Sequence, residues 1–132
     1  INSLHVGIQR NANTLKLFDT AHQYGMKYIL AEELFFENLP AVYQKIDEVT
    51  ASCEVLYLTI CMDVFNASIA PGVSAAAYNG IFADSAFMHY FKHILKSEKL
   101  LAFDIAEVNP VFDLNERTAR LAASLANEWF LV

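Results

Sequence analysis

One run constrains this chain more than any other: Val55-Leu56-Tyr57-Leu58-Thr59-Ile60-Cys61-Met62. It is nearly unbroken in its apolar character, so it lacks the in-out alternation of a strand with one wet face. Such a run belongs at the centre of a parallel sheet, covered on both faces. Parallel strands need long crossovers, usually helices, and helical patterns lie on either side of the run. A strand over Leu4-His5-Val6-Gly7-Ile8-Gln9 leads through the turn "RNAN" into a helix carrying Leu15, Phe18, Ala21 and His22. Asn13 is placed to cap that helix and Gly25 to end it. A second strand, "KYILAE", precedes a helix over 37–52, with Pro40 in its first turn and Val42, Ile46 and Val49 as its apolar stripe.

After the central run the chain enters a loop containing Pro71 and Gly72. A helix follows over 83–96 with Phe87, Phe91, Ile94 and Leu95 facing inward. A strand over 100–108 closes on Asn109-Pro110, where proline suits the end of pairing. The last helix, over 115–130, carries Ala119, Leu121, Ala122, Leu125 and Trp129. The alternation predicts an α/β fold with a parallel sheet, about four strands interleaved with four helices. No internal repeat or low-complexity segment interrupts it.

A chain of 132 residues matches one domain with one core. Its hydrophobic fraction of 55% exceeds the usual share, and it opens at Ile1 directly before a strand pattern. Both features lead us to expect a piece of a larger protein. The net charge of −6, with no basic stripe, excludes electrostatic nucleic-acid binding. The longest uncharged stretch, Val64 to Phe82, is broken by Asn66, Pro71, Gly72, Asn79 and Gly80 and reads as a loop rather than a membrane span. No secretory or lipidation motif is present. A disulfide between Cys53 and Cys61 would compete with the strand between them, so reduced thiols in a cytoplasmic protein are expected.

Sites in open α/β sheets form beyond the carboxyl ends of the strands. At the end of the central strand, Cys61 and Asp63 point to one side of an extended chain and could share a metal site. The plain alternative is a small buried thiol and an Asp that starts a turn. In "DIAEVNP", Asp104 and Glu107 point to opposite sides; Glu107 suits a planar amidine or guanidine cation, or is simply a surface carboxylate. Arg10, at the end of the first strand, either holds a substrate carboxylate or pairs with a surface acid. His89 and His93 are spaced i, i+4 but lack the acid ligand of a helical zinc motif, so surface roles are favoured. No phosphate-binding glycine pattern and no Ser-His-Asp arrangement can be read.

The combination of "LTICMDVFNASIAPGVSA", "FDIAEVNPVFD" and "RTARLAASLA" resembles the ureohydrolase superfamily of arginase and agmatinase. It looks most like the formimidoylglutamase branch, as does "GIQRNANTLKLFDTAHQYG". The likeness covers nearly the whole chain, residues 1–132, but only the C-terminal part of such an arginase-like domain. It implies a three-layer α/β/α fold and a binuclear manganese centre. The implied reaction is the hydrolysis of N-formimidoyl-L-glutamate to glutamate and formamide in histidine degradation, by a metal-bridging hydroxide that attacks the amidine carbon. On matching positions Asp63 would be a metal ligand, and Cys61 would stand where an aspartate usually touches both metals. Glu107 would contact the amidine nitrogens, and Arg10 is a candidate for the glutamate end; no general catalytic residue is assigned. Alternatives are a non-catalytic binding or assembly module, or another ureohydrolase acting on agmatine or arginine.

Two departures qualify the resemblance. Sulfur at position 61 disfavours manganese. The "DAHxD" run and the remaining His ligand lie outside these residues, so the chain alone is expected to be inactive and metal-free. Its open sheet edge is expected to be covered by another copy, making a homo-oligomer, or by the missing part.

Overall fold

The computed structural model describes residues 2–132. Strands and helices alternate in the order β1 (Leu4–Ile8), α1 (Leu15–Gln23), β2 (Lys27–Leu30), α2 (Leu39–Ala51), β3 (Leu56–Cys61), α3 (Ser85–Leu95), β4 (Leu100–Ala106) and α4 (Arg117–Glu128). Short 3-10 turns occupy Ala31–Glu33, Phe36–Asn38 and Met62–Val64. β1 pairs with β2 and β3 with β4, both in parallel. The predicted single sheet is instead two separate two-stranded sheets. Pairing depends on which edges come within hydrogen-bond reach, and the pattern within one strand carries no such information.

One core serves both pairs. Ile29 of β2, Val42 and Ile46 of α2, Ile60 of β3, Phe87 and Phe91 of α3 and Leu125 of α4 lie in a single buried cluster. Aromatic rings knit its centre: Phe65 meets Phe87 edge-on with centroids 5.1 Å apart, and Phe87 stacks on Phe91 at 5.2 Å. Trp129, just past α4, lies 4.9 Å from the ring of Phe103 on β4. The predicted stripe of α2 is buried as expected, with Leu39 added.

β3 is covered on one face only. Ile60 is buried and Leu58 partly so, whereas Tyr57 is 59% exposed and Thr59 is exposed. The run was read as covered on both sides because its composition is apolar throughout, but among the described residues no layer lies over Tyr57.

α1 also departs from expectation: none of its residues is buried, and Leu15 is 83% exposed. Thr14 rather than Asn13 occupies its capping position. The Asn13 amide instead donates to the Gln9 carbonyl at 2.8 Å, closing the turn after β1. On α4 the inward residues are Thr118, Ala122 and Leu125, and Ala119 faces out. β4 stops at Ala106, two residues before the predicted end, because Glu107 takes φ +66° and leaves the extended conformation.

Candidate active site

Three of the four predicted site residues, Cys61, Asp63 and Glu107, lie at or just past the carboxyl ends of the paired strands β3 and β4. The register sets Cys61 opposite Ala106, so Glu107 follows directly on the residue facing the thiol. Met62 is fully buried and pins the turn after β3, which leaves Cys61 and Asp63 half-buried beside it. Burial pushes the Cys61 thiol up to about 12, helped by the neighbouring Asp63 carboxylate and the negative charge of Glu107. Glu107 is exposed, and its left-handed backbone interrupts the alternation that would otherwise send its side chain to the opposite face from Asp104.

A clamp holds the loop behind this site. The Asn109 amide donates to the Gly72 carbonyl at 2.7 Å, and the Gly72 amide donates to the hydroxyl of Thr118, fully buried on α4, at 2.7 Å. Only glycine fits at position 72, since a Cβ there would sit 2.5 Å from the Asp113 Cβ. Asp113 caps α4 by accepting the Thr118 and Ala119 amides, each at 3.0 Å. Burial opposes ionisation of this carboxyl, but those backbone donors hold it below the usual carboxylate range. Thr118 and Asp113 escaped the sequence reading; the available signal was an Asp five residues before a Thr at a helix start, which a stricter search for caps would have raised.

Arg10 pairs with a neighbouring acid. Its Nε donates to Glu32 at 2.8 Å, both side chains being exposed, so the surface pairing that the sequence left open is the one formed. Arg10 and Glu32 line a cavity of about 350 Å³ at the ends of β1 and β2, together with Asn11, Asn79 and Tyr90. The Tyr90 hydroxyl there is buried and has no hydrogen-bond partner. Asp104 accepts from the Tyr57 hydroxyl at 2.7 Å and takes no part with Glu107. The two helix histidines are engaged with α2 and the segment before it. His93 Nε2 lies 2.6 Å from Asp47, and the His89 ring meets Phe36 edge-on at 5.5 Å.

Among the described residues no three His, Cys, Asp or Glu side chains converge to hold a metal ion. Asp63 offers one hard oxygen donor, while the Cys61 sulfur is soft and held in its protonated form. By themselves these two do not fit a pair of manganese ions.

Fold and site together define a parallel α/β domain whose acidic groups gather at the carboxyl ends of its strands. The chain belongs to the arginase family, whose sequence profile matches residues 1–132. It is 39% identical over 120 residues to the formimidoylglutamase of Clostridium tetani, covering 91% of this chain and 35% of that protein. It is 43% identical over 124 residues to that of a Geobacillus species, covering 93% and 38%. Among solved structures, the formimidoylglutamase of Bacillus subtilis superposes with a TM-score of 0.85 at 22% identity, over 93% of this chain and 38% of that one. The arginase of Bacillus caldovelox gives 0.83 at 19% identity, over 96% and 42%. The structural matches establish the arginase-like fold. This chain spans well under half the length of the relatives it matches.

Proposed function

We propose that this chain is the C-terminal part of a formimidoylglutamase, which hydrolyses N-formimidoyl-L-glutamate to L-glutamate and formamide. The observation that carries this reading is the position of Cys61, Asp63 and Glu107 at or just past the carboxyl ends of two paired strands. The similarity of nine-tenths of the chain to proteins of that name supports the choice of substrate. In this reading Glu107 accepts hydrogen bonds from the amidine nitrogens, whose planar cation matches a carboxylate's two oxygens. In the complete protein Asp63 would be one of the residues holding a manganese pair, which would supply a water activated at neutral pH. Cys61 occupies a ligand position without serving as a hard donor. Arg10 receives the glutamate end only by exchanging its bond to Glu32 for the substrate carboxylate.

A reducing, cytoplasmic location is part of the same proposal and is supported by two free cysteines. Self-association of the complete protein is supported by apolar side chains left on the surface, such as Leu17, Val111 and Phe112. Formamide release tests the activity. With manganese, the 132-residue chain is expected to release none. The same chain preceded by the upstream part of the Geobacillus relative is expected to release it from formimidoylglutamate and not to act on agmatine or arginine. Glu107→Gln in that longer protein should lower kcat/KM by about a hundredfold or more, as loss of a transition-state hydrogen bond to a charged group does. Turnover of agmatine or arginine in preference would overturn the substrate assignment.

A further inference from the structure

The cavity at the ends of β1 and β2 is rich in hydrogen-bond donors that the fold itself does not use. A guanidinium carries five N–H groups, and that of Arg10 commits only its Nε, to Glu32 at 2.8 Å. Tyr90, in the same lining, is 3% exposed, and its buried hydroxyl has no hydrogen-bond partner. A buried polar group left unpaired in the wall of a cavity calls for a partner that the chain does not supply. The third charged residue of the lining, Asp84, is occupied as the cap of α3, accepting the Phe87 amide at 3.0 Å. Ile8, Leu34, Ile81 and Phe82 make the apolar walls. Of these, Ile81 donates its amide to the Val64 carbonyl at 3.0 Å, so one wall is bonded to the residue that follows Asp63.

We propose that this cavity selects an α-amino acid, with Arg10 and the Tyr90 hydroxyl donating to its carboxylate and Glu32 accepting from its ammonium group. The existing ion pair argues for a ligand with both charges. Arg10 and Glu32 have side chains 66% and 62% exposed, so their bond is weak and readily exchanged. If a carboxylate takes Arg10, Glu32 is left with an uncompensated charge at the mouth of the cavity. A ligand that brings a cation beside its carboxylate replaces one ion pair by two, whereas a plain dicarboxylate replaces it by one pair and one repulsion. The choice of glutamate as the amino acid rests on the proposed hydrolysis; the requirement for both charges rests on the cavity. Glu32 and Tyr90 thereby become specificity residues for the end of the substrate remote from the bond that is cut.

The test is binding, read without metal or turnover. The 132-residue chain is titrated by heteronuclear NMR, and its single-chain fusion to the upstream segment of the Geobacillus relative by calorimetry. The ligands are L-glutamate, glutarate, which lacks the ammonium group, and 4-aminobutyrate, which lacks the α-carboxylate. L-Glutamate is expected to bind at least about tenfold more tightly than either analogue, shifting the resonances of Arg10, Asn79 and Tyr90. Glu32→Gln should remove the preference for glutamate over glutarate, and Tyr90→Phe should weaken glutamate binding by about tenfold. The first residue is exposed and the second change keeps the ring, so both variants should fold. Equal binding of glutarate and glutamate overturns the inference, as does an unchanged preference in Glu32→Gln, an unchanged affinity in Tyr90→Phe, or the absence of saturable binding in both proteins. Glutamate binding by a fusion that releases no formamide refutes the proposed hydrolysis alone. Formamide release with a KM that neither variant moves refutes the cavity assignment alone.

Discussion

At the scale of single residues, position 61 is the most informative. Its thiol is held protonated by burial and by the carboxylate two residues on, so it is a poor nucleophile. Iodoacetamide at pH 8 should label Cys61 at least about tenfold more slowly than free cysteine, and Asp63→Asn should speed that labelling by removing the charge that disfavours the thiolate. Peptide mass spectrometry reads both. The same shift carries a pH dependence. The folded thiol keeps its proton above the ordinary value of 9.0, up to about 12, so it contributes full stability below about pH 9 and loses it as pH rises through that window. Thr118 is the residue to test for the clamp. Thr118→Val leaves the buried Gly72 amide without its acceptor and should destabilise the chain by about 1–3 kcal/mol, measured by urea unfolding. None of this was legible at Thr118 in advance, because its partner lies 46 residues away. The strand-end positions of Cys61, Asp63 and Glu107 were legible, because the apolar runs that make β3 and β4 stop there.

At the scale of elements, local pattern located all four helices and all four strands, with ends differing by a few residues. The errors have identifiable causes. Glu107 leaves the strand conformation, which cut β4 short. The Leu30 amide donates to the Glu33 carboxylate at 2.8 Å and turns the chain, which ended β2 before "AE". Burial was harder to read than helicity, and α1 shows why. Its apolar residues are spaced as a stripe, but only Phe18 finds a partner, meeting Tyr28 of β2 edge-on at 5.4 Å, and none is buried, whereas α3 buries Phe87, Tyr90, Phe91 and Leu95. The two helices should therefore respond oppositely to mutation. Phe87→Ala should cost about 3–5 kcal/mol in thermal or urea unfolding. Leu15→Ser should change stability by no more than about 0.5 kcal/mol.

For the whole molecule, the surface is the distinguishing property. Leu15, Tyr57, Tyr78, Leu101, Val111 and Phe130 are each more than half exposed. Isolated apolar residues on a surface are ordinary, but this density is not. The chain should bind the dye ANS strongly, and the single-chain fusion to an upstream arginase-family segment should reduce that fluorescence several-fold by covering the same surface. Fluorescence titration at equal protein concentration reads the difference. The sequence by itself determined the order of strands and helices and the acidic strand ends, because each is written in the spacing of residues near one another along the chain, and its motifs carry the resemblance to the arginase family. Only the tertiary structure decided that the strands divide into two pairs, that β3 has a bare face, and that Arg10 bonds to Glu32. Those outcomes depend on which distant edges and faces meet, and the periodicity of one segment does not specify its neighbours.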